Sequence, residues 1–467
     1  MNNKEYDLIV IGSGPAGEKA AIEASKMRKS SAIVERHSVQ GGVCIHTGTI
    51  PSKTLRETVL YIAGLRQRSV YGLLIGGVKP NISVKDLMYR KGQVIQQELD
   101  VIQQNMARYR VEVIKGTGMI ADPHTVVVSD DDNNNRILKG KNIIISTGTK
   151  PYHPPHVEFD HRFIYNGETI LNLDTLPRSL TIIGGGVIGC EYASIFAHVG
   201  VKVTIVDRRE RLMSFLDNEI GDALLYLMRK YRINLVLGDG DKEIYVEKDQ
   251  VVTITQSGRK VVSDRLLYAA GRVGNTENIG LEAVGIETDE RGLIKVDSLY
   301  KTKVPNIYAV GDVIGFPSLA SVSMDQGRLA AIHAFKKDDT SCINTLLPFG
   351  IYTIPEVSMI GETEETLSKA GQDYEIGIAR YFELARGQII NDHDGMLKII
   401  FDPKSKRILG VHIVGERATE LVHIGQAVMT HGGTLDYFVD TVFNYPTLTE
   451  AYKVAALDGF ARIENRL

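Results

Sequence analysis

Short apolar runs that end in glycine turns recur along this chain and predict its main elements. Residues 7–11 form the first such run, and residues 18–27, beyond the glycine turn, have the pattern of a helix. A second apolar run at residues 31–34 ends in an acid, Glu35. This order predicts a strand–helix–strand unit whose turn carries Gly12 and Gly14.

The spacing of glycines in this turn, Gly12-x-Gly14-x-x-Gly17, suits a dinucleotide. Gly12 permits a tight turn, Gly14 lets the backbone approach a pyrophosphate, and Gly17 lets the helix pack on the strand. The helix N-terminus offers free N–H groups and partial positive charge to phosphates. Glu35 can accept hydrogen bonds from ribose hydroxyls.

The same pattern occurs a second time. A strand at residues 180–183 leads into Gly184, Gly186 and Gly189, and a second strand ends in Asp207, at the same distance from its first glycine as Glu35. One glycine triplet is weak evidence, because glycine turns are common. Each triplet here follows a strand and is itself followed by a helix and an acid. Two such units predict two dinucleotide sites, and therefore electron transfer between two cofactors.

Composition narrows the class of protein. A chain of 467 residues is too long for one ordinary core and predicts two to four domains. Its net charge of −3 gives no reason to expect nucleic acid or an anionic membrane as a partner, and no apolar run reaches the ~18–20 residues that span a bilayer. Three scattered cysteines fit a reducing cytoplasm, and no metal site is predicted.

Three further strand-and-turn signals complete the pattern: Thr147-Gly148, Gly271 and Gly311-Asp312. In this order the motifs resemble the pyridine nucleotide–disulfide oxidoreductase family over residues 7–452. The resemblance implies FAD on the first glycine triplet and NAD(H) or NADP(H) on the second. It also implies that Asp312 faces the ribityl and pyrophosphate region, and that a helix over residues 321–335 directs its dipole at the flavin.

The resemblance implies an α/β fold with two Rossmann-like dinucleotide-binding domains, for FAD and NAD(P), plus an α+β C-terminal dimerisation domain. The expected limits are 1–150 with 274–340 for the FAD-binding domain, 151–273 for the NAD(P)-binding domain and 341–467 for the dimerisation domain. A homodimer or higher homo-oligomer is expected. The candidate cofactor-binding residues are Gly12, Gly14, Gly17, Glu35, Arg36, Gly42, Cys44, Thr147, Gly148, Gly311, Asp312, Ala320, Gly184, Gly186, Gly189, Asp207, Arg208 and Gly271.

The family's redox segment is altered in this sequence. Cys44 occupies the position of the first redox cysteine, but Thr49 occupies that of the second, and a hydroxyl cannot form a disulfide. Cys44 alone is best interpreted as a small buried residue. Near the C-terminus Tyr445 replaces the family's proton-shuttling histidine, while Glu450 remains. Both changes remove the same function, which argues that this chain reduces no disulfide.

The remaining candidate catalytic residues are Lys53, Glu191 and Thr49. The resemblance places Lys53 near the flavin with Glu191 as its ion-pair partner; two exposed helix charges are the alternative. Asp207 and Gly189 favour NAD(H), because an acid binds a 2′-hydroxyl and repels a 2′-phosphate. Arg208, with Arg209 and Arg211, favours NADP(H). The presence of an acid and of arginines at the same site predicts that NAD(H) and NADP(H) are both substrates.

A flavin that takes hydride from NADPH and passes it to NAD+ needs no further group. Thr49 within Gly-Thr-Ile-Pro-Ser-Lys and Tyr445 within Asn-Tyr-Pro-Thr resemble the FAD-dependent transhydrogenase branch of the family. Transhydrogenation is therefore the predicted activity. An NAD(P)H oxidase or diaphorase and a coenzyme-binding redox sensor remain alternatives, and a disulfide reductase ranks last.

Overall fold

The computed structural model describes residues 4–66, 83–132, 134–336 and 338–464. Its α-helices are α1 (Pro15–Lys26), α2 (Gly42–His46), α3 (Thr49–Arg66), α4 (Val84–Arg108), α5 (Val187–His198), α6 (Asn218–Lys230), α7 (Ala320–Phe335), α8 (Glu364–Ala370), α9 (Ala385–Ile390), α10 (Ala418–Thr430), α11 (Asp436–Asp440) and α12 (Glu450–Glu464). None of the helices in the described ranges is both long and apolar enough to cross a membrane.

Five sheets organise the described residues. Their strands are β1 (Lys4–Ile11), β2 (Ser31–Glu35), β3 (Glu112–Lys115), β4 (Thr117–Asp122), β5 (Thr125–Ser129), β6 (Asn135–Ile145), β7 (Thr149–Pro151), β8 (Ile164–Asn166), β9 (Ser179–Ile183), β10 (Lys202–Asp207), β11 (Asn234–Leu237), β12 (Asp241–Glu247), β13 (Gln250–Thr255), β14 (Lys260–Ser263), β15 (Arg265–Tyr268), β16 (Arg272–Gly274), β17 (Ile307–Ala309), β18 (Phe349–Ile351), β19 (Glu356–Gly361), β20 (Glu375–Arg380), β21 (Met396–Phe401) and β22 (Ile408–Gly415).

The first sheet is built on β1, which pairs in parallel with β2 on one side and with β6 on the other. β3 extends the parallel sheet beyond β2, and β17 returns late in the chain to pair with β6. The residues of β1 from Leu8 to Val10 are fully buried, as expected for a parallel strand covered on both faces. β4 and β5 form an antiparallel extension on the N-terminal half of β6.

The second sheet repeats this arrangement in the order β11-β10-β9-β15-β8, with every pair parallel. β12, β13 and β14 form a small antiparallel sheet beside it. The chain passes between the first two domains through β7 and β16, which pair as an antiparallel ribbon. The predicted domain limits at residues 150 and 273 fall within this ribbon; as functional boundaries they stay a prediction.

The C-terminal sheet is wholly antiparallel, in the order β18-β19-β22-β21-β20. Its helices include α10, which packs against β19 and β22, and α12, which packs against β20 and β21. The fold class, with two parallel α/β units and an α+β C-terminal domain, is as predicted.

One hydrophobic cluster joins the three domains. It includes Leu55 and Val59 of α3, Phe196 of α5 and Met359 of β19, all buried. α3, which carries Thr49 and Lys53, therefore shares an apolar core with α5, which carries Glu191, and with the C-terminal sheet.

A second contact between domains is ionic. Lys398 of β21 is fully buried, and its Nζ lies 2.8 Å from Asp217 Oδ1 and 3.1 Å from Glu219 Oε2, with Glu364 as a third partner. Burial alone would lower the pKa of Lys398, but the hydrogen bonds to Asp217 and Glu364 prevail and raise it to about 12. The three acids are close enough to hold a metal ion, but the lysine ammonium already lies among them.

Candidate active site

A cleft of about 590 Å³ opens at the carboxyl ends of β1, β2 and β6 in the first domain. Ligands of parallel α/β sheets bind at this edge, where crossover helices leave in opposite directions. Most predicted FAD residues line the cleft, and so does the catalytic candidate Thr49; the FAD residues are Gly12, Gly14, Glu35, Arg36, Gly42, Cys44, Thr147, Gly148, Gly311, Asp312 and Ala320. The structure thus brings together residues that are far apart in the sequence.

The glycines of the first triplet differ in what surrounds them. A Cβ on Gly17 would lie 2.0 Å from the carbonyl oxygen of Gly12, so this position must be glycine for α1 to pack against the turn. A Cβ on Gly14 would meet nothing within 4 Å. α1 begins at Pro15 without a side-chain cap, so its first N–H groups are free to bind an anion beside Gly14.

Glu35, at the end of β2, orders the same turn. Its Oε2 accepts hydrogen bonds from the backbone N–H (3.0 Å) and the hydroxyl (2.6 Å) of Ser13, and its Oε1 accepts one from the His37 N–H (2.9 Å). The carboxylate also lines the cleft, so the residue that shapes the turn is available to ribose hydroxyls.

Two polar groups in the cleft are incompletely hydrogen-bonded within the described residues, and their surroundings test whether FAD fits the cleft. The buried Oγ1 of Thr147 has no hydrogen-bond partner among the described residues. Burial raises the pKa of Asp312, although Arg272 and the hydroxyls of Thr149 and Ser323 oppose the rise. A ligand with hydroxyls and a pyrophosphate would satisfy such groups. The residues present therefore fit FAD.

Lys53 and Glu191 form the ion pair that the resemblance implies. Lys53 Nζ lies 2.9 Å and 2.7 Å from the two carboxylate oxygens of Glu191. The side chain of Glu191 is 5% exposed and that of Lys53 is 25% exposed. Lys53 lies one turn after Thr49 in α3; Thr49 lines the cleft, whereas Lys53 is not among the residues that line it.

A third residue, which sequence reasoning missed, completes this arrangement. The backbone N–H of Tyr352 donates to Glu191 Oε1 at 3.0 Å, and Lys53 Nζ lies 5.0 Å from the centroid of the Tyr352 ring. This distance allows a cation–π interaction. No motif marks Tyr352, because its contacts are with α3 and α5, which are distant in sequence.

Cys44 faces Thr49 and has no second cysteine beside it. All three cysteines, Cys44, Cys190 and Cys342, are free. Burial raises the pKa of the Cys44 thiol, while a hydrogen bond with Thr49 works in the opposite direction. A thiol with a raised pKa is a poor nucleophile, in line with the interpretation of Cys44 as a small packing residue.

The second glycine triplet repeats the close packing of the first. A Cβ on Gly189 would lie 1.8 Å from the carbonyl oxygen of Gly184, while the nearest atom to a Cβ on Gly186 would be 3.8 Å away. Gly271 follows Ala269 and Ala270, which a Cβ on Gly184 would contact; it is exposed, and its carbonyl oxygen accepts a hydrogen bond from the Tyr152 N–H. Its proposed contact with a cofactor stays a prediction.

Asp207 is buried at the end of β10, and its carboxylate is already occupied by protein donors. The Gly185 N–H donates to it, and the Arg209 guanidinium donates to both oxygens, at 3.0 Å and 2.6 Å. Burial would raise the pKa of Asp207, but the hydrogen bonds from Arg209 and Gly185 lower it. Both Arg208 and Arg209 are exposed, and it is Arg209 that forms the ion pair with the acid.

Further residues support the cleft from outside the motifs. Gln326 Oε1 accepts a hydrogen bond from the Gly311 N–H at 2.8 Å, and Arg272 donates to Thr149 and to Glu168. At the C-terminal end Tyr445 is 68% exposed. The buried Oε2 of Glu450 has no partner within the described ranges, as expected if it no longer orients an imidazole.

Comparison with known families matches almost the whole chain. A model described as "Pyridine nucleotide-disulphide oxidoreductase" matches residues 6–327, and one described as "Pyridine nucleotide-disulphide oxidoreductase, dimerisation domain" matches residues 347–456. The dimerisation domain expected at the C-terminus thus corresponds to the antiparallel sheet.

Curated relatives are similar over nearly their full length. The chain is 50% identical to a protein of Mycobacterium tuberculosis (97% of each chain covered) and 46% identical to one of Pectobacterium atrosepticum (98% of each). Both are named "Soluble pyridine nucleotide transhydrogenase".

Among solved structures, the flavoprotein disulfide reductase RclA of Escherichia coli superimposes with a TM-score of 0.87 at 27% identity (97% of this chain, 99% of that chain). LpdA of Mycobacterium tuberculosis gives a TM-score of 0.89 at 24% identity, covering 96% of this chain and 99% of LpdA, and shows the fold alone. Because a disulfide reductase shares this fold, the residues of the cleft must distinguish the activities.

Proposed function

The chain belongs to the pyridine nucleotide–disulphide oxidoreductase family, and we propose that it exchanges hydride between NADPH and NAD+ with FAD as its bound cofactor. The observation that carries this proposal is the pairing of Cys44 with Thr49 where a disulfide would need a second cysteine. The names of relatives that are 45–50% identical support it.

FAD, when bound, supplies a carrier that accepts and releases a hydride. The residues of this chain bind and surround it. Gly14 and the N-terminus of α1 would hold its pyrophosphate, and Asp312 would accept hydrogen bonds from its hydroxyls. Lys53, held by Glu191, would supply a positive charge to the negative charge that the flavin gains on reduction. Thr49 lines the same cleft.

The second glycine triplet binds NADPH and NAD+ one after the other. Asp207 accepts hydrogen bonds from the 2′-hydroxyl of NAD(H) when Arg209 is displaced from it. For NADP(H) the same arginine, with Arg208, turns to the 2′-phosphate. The chain works as a homodimer or a higher homo-oligomer in the cytoplasm. Support comes from the dimerisation-domain match and the sparse, free cysteines.

An anaerobic titration of the purified holoenzyme with NADPH tests this proposal. We expect uptake of two electrons per FAD without a long-wavelength thiolate-to-flavin band, followed by reoxidation with NAD+. Uptake of four electrons would show a second redox centre and contradict the proposal. In steady state, thio-NAD+ reduction should exceed peroxide formation; the opposite ratio would favour an NAD(P)H oxidase.

A further inference from the structure

Arg56 of α3 is a buried arginine whose partners belong mainly to the C-terminal domain. Its side chain is 4% exposed, and arginine is almost never buried to this extent unless it is paired. Its Nε donates to the carbonyl oxygen of Thr353 at 3.0 Å, and one terminal nitrogen lies 3.1 Å from Glu356 Oε1. The other terminal nitrogen lies 2.7 Å from Glu57, the next residue of the same helix. The guanidinium therefore ties α3 to the C-terminal domain.

Thr353, the first of these partners, lies between two residues that contact α5. The backbone N–H of Tyr352 donates to Glu191 Oε1 at 3.0 Å. The backbone N–H of Ile354 donates to Ser194 Oγ at 3.1 Å. These three consecutive residues thus contact α5 at both ends and α3 in the middle, and we refer to them as the bridging segment.

Glu356, the second partner, is itself held on both of its oxygens. Its Oε2 accepts hydrogen bonds from the backbone N–H (3.0 Å) and the hydroxyl (2.7 Å) of Thr419, and its Oε1 faces Arg56. Thr419 lies in the first turn of α10, which begins without a side-chain cap from its own N-cap residue. A carboxylate there satisfies free N–H groups and interacts favourably with the helix dipole. The anchor of Arg56 is therefore an acid whose position is fixed by α10.

Lys53 and Arg56 lie three residues apart in α3, and positions at this spacing are neighbours on a helix surface. Both contact the bridging segment. Lys53 Nζ lies 5.0 Å from the centroid of the Tyr352 ring, and Arg56 binds the next residue, Thr353. Glu191 completes the link, because its Oε1 accepts hydrogen bonds from both Lys53 Nζ and the Tyr352 N–H. A shift of the bridging segment relative to α3 would therefore move the groups that fix the ammonium.

We propose that Arg56 is a positioning residue for the Lys53 ammonium. Its planar guanidinium presents several donors in a fixed geometry to a carbonyl and a carboxylate, whereas a lysine presents one compact ammonium. The guanidinium fixes the bridging segment against α3, and the segment in turn fixes Glu191 and the ammonium. Arg56 is not among the residues that line the cleft. The inference rests on the proposed function only in taking Lys53 as the charge that acts on reduced flavin.

A double-mutant cycle tests whether Arg56 acts through Lys53. R56K keeps the positive charge but loses the fork of donors, and we expect it to slow the reduction of FAD by NADPH about tenfold, because the ammonium is misplaced. In the K53M background the same replacement should change the rate by less than about twofold, because no ammonium is left to position. Stopped-flow absorbance of the four holoenzymes gives the rates.

The midpoint potential of FAD is a second readout, and it does not depend on turnover. A misplaced ammonium stabilises reduced flavin less, so R56K should lower the potential. The shift is about 30 mV if the equilibrium constant of the two-electron reduction changes tenfold. K53M and K53M/R56K should have equal potentials. K398M is the control for a lost interdomain contact, and it should lower the urea midpoint without changing the potential.

A further variant covers the case in which R56K does not retain FAD. E356Q keeps the shape of the acid that anchors Arg56 but removes its charge. In the same cycle it should slow FAD reduction when Lys53 is present and have no effect in the K53M background.

Three outcomes would overturn the inference. One is an equal effect of R56K with and without Lys53, which would mean that Arg56 acts independently of the lysine. Another is an unchanged rate and potential in R56K, which would make Arg56 an interdomain contact only. A wild-type rate in K53M would refute the role of Lys53 itself and this inference with it. Neither measurement involves an electron acceptor, so failure of transhydrogenation would leave both intact.

Discussion

Two lysines in this protein each have at least one acid partner from another domain, and they differ in what surrounds the ammonium group. Lys398 is fully buried among Asp217, Glu219 and Glu364. Lys53 has one acid, Glu191, and its side chain remains 25% exposed. The first ammonium has three carboxylate partners and no exposure, whereas the second has one carboxylate partner and remains partly exposed.

The two lysines therefore have different expected roles, one in stability and the other in the chemistry of the site. A buried charge that is paired on all sides can only hold domains together, because nothing else can reach it. A charge that is fixed on one side and open on the other can interact with charge that develops on a bound group. The same pair of residue types thus serves as an interdomain contact in one place and as a candidate catalytic group in the other.

The largest expected effect is on stability. We expect K398M to lower the free energy of unfolding by about 3–5 kcal/mol, because it leaves the buried Asp217 carboxylate without its counter-charge, beside two partly exposed acids. Urea denaturation of the holoenzyme, followed by circular dichroism, measures the change. K406M is the control, because Lys406 pairs with Asp436 near the surface and should matter by less than about 1 kcal/mol. Equal losses of unfolding free energy in K398M and K406M would contradict the stabilising role given to Lys398.

The second prediction concerns Lys53. Replacement by methionine should slow the reduction of FAD by NADPH about 100-fold, since one preorganised charge at a reacting group contributes roughly this much. Stopped-flow absorbance of the flavin provides the rate. K53R should recover much of it, and K398M should keep the wild-type rate at temperatures where it stays folded. A K398M rate as low as that of K53M would mean that the two lysines do not differ in role.

The coenzyme site gives a smaller effect. D207A should raise the KM of NAD+ about tenfold, equal to about 1.4 kcal/mol, and change the KM of NADP+ much less. The reason is that the carboxylate binds only a ribose with a free 2′-hydroxyl. R209A should weaken NADP+ more than NAD+. Parallel changes for both coenzymes in both variants would show that neither residue distinguishes them.

The smallest expected effect is the pH dependence of the Lys398 contact. Because the folded pKa of Lys398 is raised to about 12, its contribution is fully present below the unfolded value of ~10.4 and is lost as the pH rises through about 12. The difference in urea midpoint between wild type and K398M should therefore stay constant from neutral pH to ~10 and shrink above it. A difference that shrinks already near neutral pH would refute the raised pKa.

Much of the candidate site could be predicted from the sequence. Gly12, Gly14 and Glu35 stand in one continuous stretch whose local geometry follows from glycine turns and helix ends. The replacement of a redox cysteine by Thr49 is likewise visible without coordinates. The pairing of Lys53 with Glu191 required the resemblance to a family, because no local rule connects α3 with α5.

The sequence by itself determined the two dinucleotide units and the spacing of Cys44 and Thr49, because both depend on residues that are close along the chain. Only the tertiary structure decided that Tyr352 completes the Lys53 pair, that Lys398 joins two domains, and that Arg56 ties α3 to the C-terminal domain. Each of these contacts unites segments far apart in sequence. Their positions follow from how the three domains pack against one another, which local spacing does not encode.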